Sequence, residues 1–134
     1  MPYLLDTNVV SDFFRHHPAV VAHFGRVPPA QLAISTVTVM EIEYGFERNP
    51  AARARFGAVW AGLLGDLKVL AFESGDATHT ARVRAHLASL GTPIGPFDLQ
   101  LAGTALNRQL TLVTHNSDEF GRVPDLGTED WWLG

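Results

Sequence analysis

The chain has 134 residues, 46% of them hydrophobic, and no cysteine. That is the size of one ordinary domain with material for a real core, and it excludes a disulfide framework and any thiolate metal site. The net charge of -4, with Lys68 as the single lysine against nine arginines, argues against nucleic-acid binding through bulk electrostatics, because counterion release needs clustered cations. Arginine suits bidentate phosphate contacts, so a local arginine surface remains open beside carboxylates that a metal neutralises. No apolar run approaches the ~20 residues a membrane helix needs. The first ten residues lack the basic stretch and small-residue cleavage site of a signal peptide, which makes the cytoplasm the expected location.

Tyr3-Leu4-Leu5 is a short apolar run, expected as a buried strand that stops at Asp6-Thr7-Asn8. The helical spacing of Val9, Val10, Phe13 and Phe14 predicts a helix next. Pro18 starts another that carries Val20, Val21 and Phe24, and Pro28-Pro29 breaks the chain. Leu32-Ala33-Ile34 reads as a second strand, with Ser35 and Thr36 opening a helix to about Arg48. Residues 51–65 are expected to be helical, with Phe56, Val59, Trp60, Leu63 and Leu64 as the apolar side. Lys68 to Phe72 reads as a third strand. Residues 75–90 read as a helix with Ala81, Val83, Leu87 and Leu90 facing in and Gly91 as its stop.

After the rigid loop Thr92-Pro93-Ile94-Gly95-Pro96, a helix is expected from Pro96 to about Asn107. Leu110 to Val113 reads as a fourth strand ending at Thr114-His115-Asn116. A helical turn holds Phe120, and Gly127 to Gly134 forms a last edge strand. Neither linker nor internal repeat is visible, so residues 1–134 read as a single domain. Strands alternating with helices imply a mostly parallel sheet of four to five strands with helices on both faces. The active site of such a sheet lies outside the carboxyl ends of the strands, where Asp6, Ser35 and Asn116 are placed.

Three acids stand out there, each with a plainer reading beside it. Asp6 is either an N-cap or a metal ligand at a strand end. Glu41 completes a capping-box pattern with Thr38, yet Ser35 and Thr36 cap that helix earlier, which leaves Glu41 facing the sheet edge, where burial needs a cation. Asp98 suits the first turn of a helix through the dipole, but it follows an apolar approach, Ile94 and Phe97. Asn116-Ser-Asp-Glu119 is also a capping box, and Glu119 is expected to cap. Oxygen ligands without cysteine or a histidine pair suit a hard cation such as magnesium, which can activate water against a phosphodiester. The six histidines form no metal pattern: His16 and His17 are adjacent, His79 and His86 are expected on a solvated side, and His115 is expected at the surface. Trp131 and Trp132 are expected to cover a core or an interface rather than to stack bases.

Taken in order, Leu4-Leu5-Asp6-Thr7-Asn8, Ile34-Ser35-Thr36-Val37-Thr38 with Glu41 and Tyr44-Gly45, Pro93-Ile94-Gly95-Pro96-Phe97-Asp98, and Leu112-Val113-Thr114-His115-Asn116 with Phe120 resemble the PIN-domain toxins called VapC, from bacterial type II toxin–antitoxin pairs. The tail Thr128-Glu129-Asp130-Trp131 resembles their enteric-type branch. The resemblance implies a PIN-like three-layer α/β/α sandwich and a magnesium-dependent endoribonuclease, with manganese as a substitute. Structured RNA is the implied substrate, with initiator tRNA, cut at the anticodon stem-loop, as the particular one. Asp6, Glu41 and Asp98 carry over as acidic metal ligands, with Thr7, Asn8, Thr114, Asn116 and Asp118 as supporting candidates. Many PIN domains place a fourth acid where this chain has Asn116; Asp118 is the nearby substitute, and one metal ion or two stays open. The implied mechanism is attack by a metal-positioned water without a covalent intermediate. The implied partners are a second copy of the chain and a cognate VapB-type antitoxin that blocks the cleft with a positive side chain and forms a higher assembly with the toxin.

Competing readings fare worse. A haloacid-dehalogenase phosphatase needs a second Asp two residues after the first, where this chain has Asn8. A response-regulator receiver needs a lysine after a late strand, and Lys68 is not so placed. A non-catalytic RNA- or partner-binding module, and a DNA nuclease using the same chemistry, stay open.

Overall fold

The computed structural model describes residues 2–133. The strands are β1 (Tyr3–Leu5), β2 (Leu32–Ser35), β3 (Lys68–Leu70), β4 (Thr111–Val113) and β5 (Thr128–Glu129). The helices are α1 (Thr7–Phe14), α2 (Pro18–Arg26), α3 (Thr36–Arg48), α4 (Pro50–Asp66), α5 (Ser74–Ser89), α6 (Pro96–Arg108) and the short α7 (Ser117–Phe120). Single 3-10 turns cover Pro29–Gln31 and Trp131–Leu133.

All four strand pairings are parallel, in the order β3-β2-β1-β4-β5. The three inner strands, β2, β1 and β4, are short, yet both of their faces are buried, as central parallel strands require. Leu4, Ala33 and Leu112 point into one core, with Val83 and Leu87 of α5 and Leu101, Ala102 and Ala105 of α6. Their neighbours Leu5, Ile34 and Val113 point into the other, with Val9, Val10 and Phe14 of α1 and Trp60 and Leu63 of α4. The expected three layers are therefore present, and all five strands of the sheet are parallel. Helix α3 contributes to both cores, Val37 to the first and Ile42 and Phe46 to the second. It thus crosses the sheet at the carboxyl end of β2 and brings Glu41, which lies between those residues in sequence, over that edge.

Helix α6, which carries Asp98, is fixed against α5 by two contacts. Asp76 is fully buried and receives Nε and Nη2 of Arg108 at 3.2 and 2.9 Å, Nδ2 of Asn107 at 2.9 Å and the Glu73 N–H at 2.9 Å. Burial works against its charge, but these donors win and hold the Asp76 carboxyl below the usual range. A second contact is backbone against backbone: a Cβ at Gly103 would stand 2.6 Å from the Thr80 nitrogen and 2.8 Å from its Cα.

Several inward assignments need correction. Val21 and Val59 are 37% exposed, Leu90 is 61% exposed, and Ala81 faces solvent. Helix α5 buries only a narrow stripe, Asp76, Val83 and Leu87, because α6 is its main cover; Leu90 already belongs to the turn that Gly91 closes at φ +67°. Strand β3 ends at Leu70, where its register with β2 runs out, rather than at Phe72. The expected strand from Gly127 is two residues long, and the tail then makes its 3-10 turn against α2, with Gly134 outside the described residues. Trp131 is fully buried against Tyr3, His23 and Phe24, which agrees with a core role.

Gly103→Ala is expected to lower stability by about 1–3 kcal/mol through overpacking at Thr80. Urea unfolding measures this, and an unchanged midpoint would show that α5 and α6 can slide apart freely.

Candidate active site at the carboxyl edge

The chain runs outward from β1 to β2 and β3, then returns to β4 on the other side of β1. The switch point, where parallel sheets form their ligand crevice, therefore lies between β1 and β4. Asp6 follows β1 there. Its N–H extends the ladder to Val113 O at 3.0 Å, and its Oδ1 accepts the Val9 N–H at 2.8 Å as N-cap of α1. Only 4% of Asp6 is exposed. Burial pushes its carboxyl up to about 6, against the lowering effect of hydrogen bonds from Thr114 and Val9, with the charges of Asp12 and Glu41 adding to the rise. The cap and the site are thus compatible: the cap uses one carboxylate oxygen.

Asp98 stands in the first turn of α6, half-buried. Its carboxyl is also raised to about 6, by burial first, then by the charges of Glu119, Asp6 and Glu41, and by a hydrogen bond shared with Glu119. Asp98 thus feels three other acids, Asp6, Glu41 and Glu119, which reach this edge from separate parts of the chain. Glu41 Oε1 accepts the Thr7 hydroxyl at 2.7 Å, and Thr7 leans on Thr38 at 3.3 Å. Ser35, not Thr38, caps α3, accepting Val37 N–H at 3.0 Å, so Glu41 is free of capping.

Glu119 corrects the sequence reading. No side chain of Asn116 caps α7. Instead the Asn116 N–H goes to Thr114 Oγ1 at 2.9 Å, and Asn116 Nδ2 donates to Glu119 Oε2 at 3.0 Å. The capping box therefore does not form, and the Glu119 carboxylate lies against Asp98. The signal for this was Thr114, whose hydroxyl two residues before Asn116 already satisfies the N–H that a box would have used. Asp118, the expected substitute for a fourth acid, is exposed, as is Asn8; neither joins the cluster. Thr7, Thr114 and Asn116 do, as hydrogen-bond supports. His115 is exposed at the edge of the site, bonded to Asp130 at 2.9 Å and stacked on Trp132 at 4.2 Å.

Two carboxyls at about 6 among four acids describe a site short of positive charge. Its donors are all oxygens, which suits a hard divalent cation. Among the described residues, no three acids or histidines stand in ligating positions around one point. The residues fit the ion by chemistry, with Asp6 and Asp98 as the innermost ligand candidates.

Fold and site together define a parallel α/β protein with an acid-lined crevice at its topological switch point, the kind of edge that handles phosphate groups with a metal. Residues 3–126 match the PIN domain family profile. The tRNA(fMet)-specific endonuclease VapC of Shigella flexneri is 40% identical over 98% of both chains. Its namesake in Salmonella typhimurium is 37% identical, again over 98% of both. A crystal structure of DNA-bound VapBC from Salmonella typhimurium superposes with a TM-score of 0.89 at 37% identity, over 98% of each chain. VapBC2 from Rickettsia felis, bound to a DNA fragment from its promoter, gives 0.89 at 28% identity, over 98% of this chain and 99% of that one. The chain belongs to the PIN-domain family and, within it, to the VapC group.

A carboxyl whose folded pKa is raised makes its stability contribution at low pH and loses it as pH rises through the folded value. For Asp6, a rise from 3.8 to about 6 costs roughly 3 kcal/mol at neutral pH. Metal-free protein should therefore lose stability between about pH 4 and 6. Asp6→Asn, which can still cap α1, should melt higher than wild type at pH 7.5, and that gap should close at pH 4. Equal melting temperatures at both pH values would mean that the Asp6 carboxylate is not strained by its surroundings.

Proposed function

We propose that the chain works as a single PIN domain, residues 1–134, and is a divalent-metal-dependent endoribonuclease, the toxin of a type II toxin–antitoxin pair. The observation that carries this reading is the convergence of Asp6, Glu41, Asp98 and Glu119 at the switch point, with two of the four raised to about 6 by burial and by the neighbouring acids. Magnesium is the expected ion, with manganese able to replace it. When bound, such an ion supplies Lewis acidity and positive charge to a phosphodiester under attack.

The chain's own groups do the rest. Asp6 and Asp98 would hold the ion, Thr7 fixes the Glu41 carboxylate, and Asn116 orients Glu119. The similarity to two tRNA(fMet)-specific endonucleases supports tRNA, initiator tRNA first, as the substrate and the cytoplasm as the place of action. Solved VapBC complexes support a VapB-type antitoxin and a toxin dimer within a larger assembly. A groove from Thr7 and Glu41 past Ile42 and Phe46 to Phe56 joins Glu41 to an apolar channel, and an antitoxin segment with one cation and one bulky apolar residue would occupy both.

Partner-free protein is expected to cut total tRNA into discrete fragments with magnesium and not with EDTA. Asp6→Asn and Asp98→Asn should each reduce the rate by about 10²-fold or more, since the charge stabilisation lost is several kcal/mol. Glu119→Gln should cost about tenfold. Cleavage that persists in Asp98→Asn, or cleavage of single-stranded DNA in place of RNA, would refute the assignment.

A further inference from the structure

The outer side of α3 carries a feature that the acidic site does not use. Tyr44 is 61% exposed and Met40, one turn before it, is 44% exposed, although both belong to a helix whose other apolar residues are buried in two cores. Glu41, Tyr44 and Arg48 are spaced i, i+3 and i+7, which puts an acid, an aromatic ring and a cation along one stripe. At 1.5 Å per residue, the backbone of Tyr44 lies roughly 4–5 Å and that of Arg48 roughly 10 Å along the helix from Glu41. Arg48 already reaches over the Tyr44 ring, with Cζ 5.7 Å from the centroid.

The charges around the stripe are arranged unevenly. Glu43 and Glu47, the other acids on this part of α3, are turned to Arg53 of α4 at 3.1 and 3.3 Å. Among the described residues, Arg48 has no carboxylate within ion-pair distance. Arg108 is held by Asp76. Arg48 is therefore a cation beside an exposed ring, one helical stripe away from the catalytic acids.

We propose that Tyr44 and Arg48 form the substrate-strand platform of this enzyme. The ring stacks an unpaired base next to the scissile phosphate, and the guanidinium takes a phosphate further along the same strand. This explains how an acidic chain can hold RNA: a ring binds through a π-face whatever the net charge, and one arginine without a carboxylate partner suffices for one phosphate. It also assigns the kind of RNA, a segment with bases free to stack, as in a loop, rather than a continuous duplex. The inference rests on the ribonuclease reading of the site and adds the residues that select its substrate. Tyr44 and Arg48 are binding residues, and neither touches the acids.

The test uses the full chain and an unstructured fluorescent oligoribonucleotide. Cleavage in magnesium gives KM and kcat, and anisotropy with Asp98→Asn protein gives binding without turnover. Base stacking is typically worth about 1–3 kcal/mol, so Tyr44→Ala should raise KM and Kd by about 5- to 100-fold with kcat within twofold, and Tyr44→Phe should stay within twofold of wild type in both. Arg48→Ala should weaken binding several-fold and lower the slope of log affinity against log salt by about one.

Unchanged KM and Kd in Tyr44→Ala overturn the platform, whatever the wild type cleaves. So does a Tyr44→Ala protein whose sedimentation shows a changed oligomer, since the ring would then belong to an interface between copies. If wild type cuts no RNA but its binding still depends on Tyr44, the platform stands and the nuclease reading fails.

Discussion

Asp6 sits where the central strand of the sheet gives way to a helix, and the rest of the site depends on its charge being kept there. The position is nearly closed to water, so the carboxylate must be repaid by donors or by a cation. Two donors are present, the Val9 N–H and the Thr114 hydroxyl. They are not enough, because three more acids arrive from α3, α6 and α7. Contrast Asp76, equally buried, where Arg108, Asn107 and a backbone N–H bring the carboxyl below its usual range. One buried acid is compensated by the fold and serves packing; the other is left short of positive charge at the proposed site.

The supporting structure explains how four acids from distant parts of the chain meet. The strand order places β1 between β2 and β4, so the loops after all three open on the same edge. Helix α3 crosses that edge because its ends belong to different cores. Helix α6 presents its first turn there because its body is held against α5 by the Asp76 cluster and by the absence of a side chain at Gly103. The tail closes the side of the sheet: Trp131 fills the core, while Trp132 is held between the rings of His17 and His115 at 4.2 Å each, with its indole N–H on Asp12 at 2.7 Å. That clasp fixes the loop after β4 from outside, and the same loop carries Thr114 and Asn116 on the inside.

Much of this was legible in the residues. Short apolar runs such as Tyr3–Leu5 and Leu32–Ile34, each ending in a capping residue, mark parallel strands feeding helices, and Gly91 marks the end of α5. What failed to read did so for local reasons. Apolar spacing overstates the buried side of a helix covered on one flank only, hence Leu90 and Ala81. Helix α6 runs on to Arg108 because Gln109, a residue with no special preference for it, takes the left-handed cap at φ 56°. Glu119 was hidden by a motif with two outcomes: Asn116 and Glu119 match a capping box in sequence, and the hydroxyl of Thr114 decides the issue in space. The grouping of Asp6, Glu41 and Asp98 was expected from topology, but the burial that raises two of those carboxyls exists only in the folded chain.

The central claim is that a divalent cation completes the charge balance of this cluster. Carbon-13 NMR titration of the Asp98 side-chain carboxyl, with and without magnesium, tests it most directly. Without the ion the carboxyl should titrate near 6; with saturating magnesium its midpoint should fall below the usual carboxylate range, because a cation now favours the charged form. A midpoint near 6 under both conditions would mean that the acids do not share an ion, and the account of the site would be wrong.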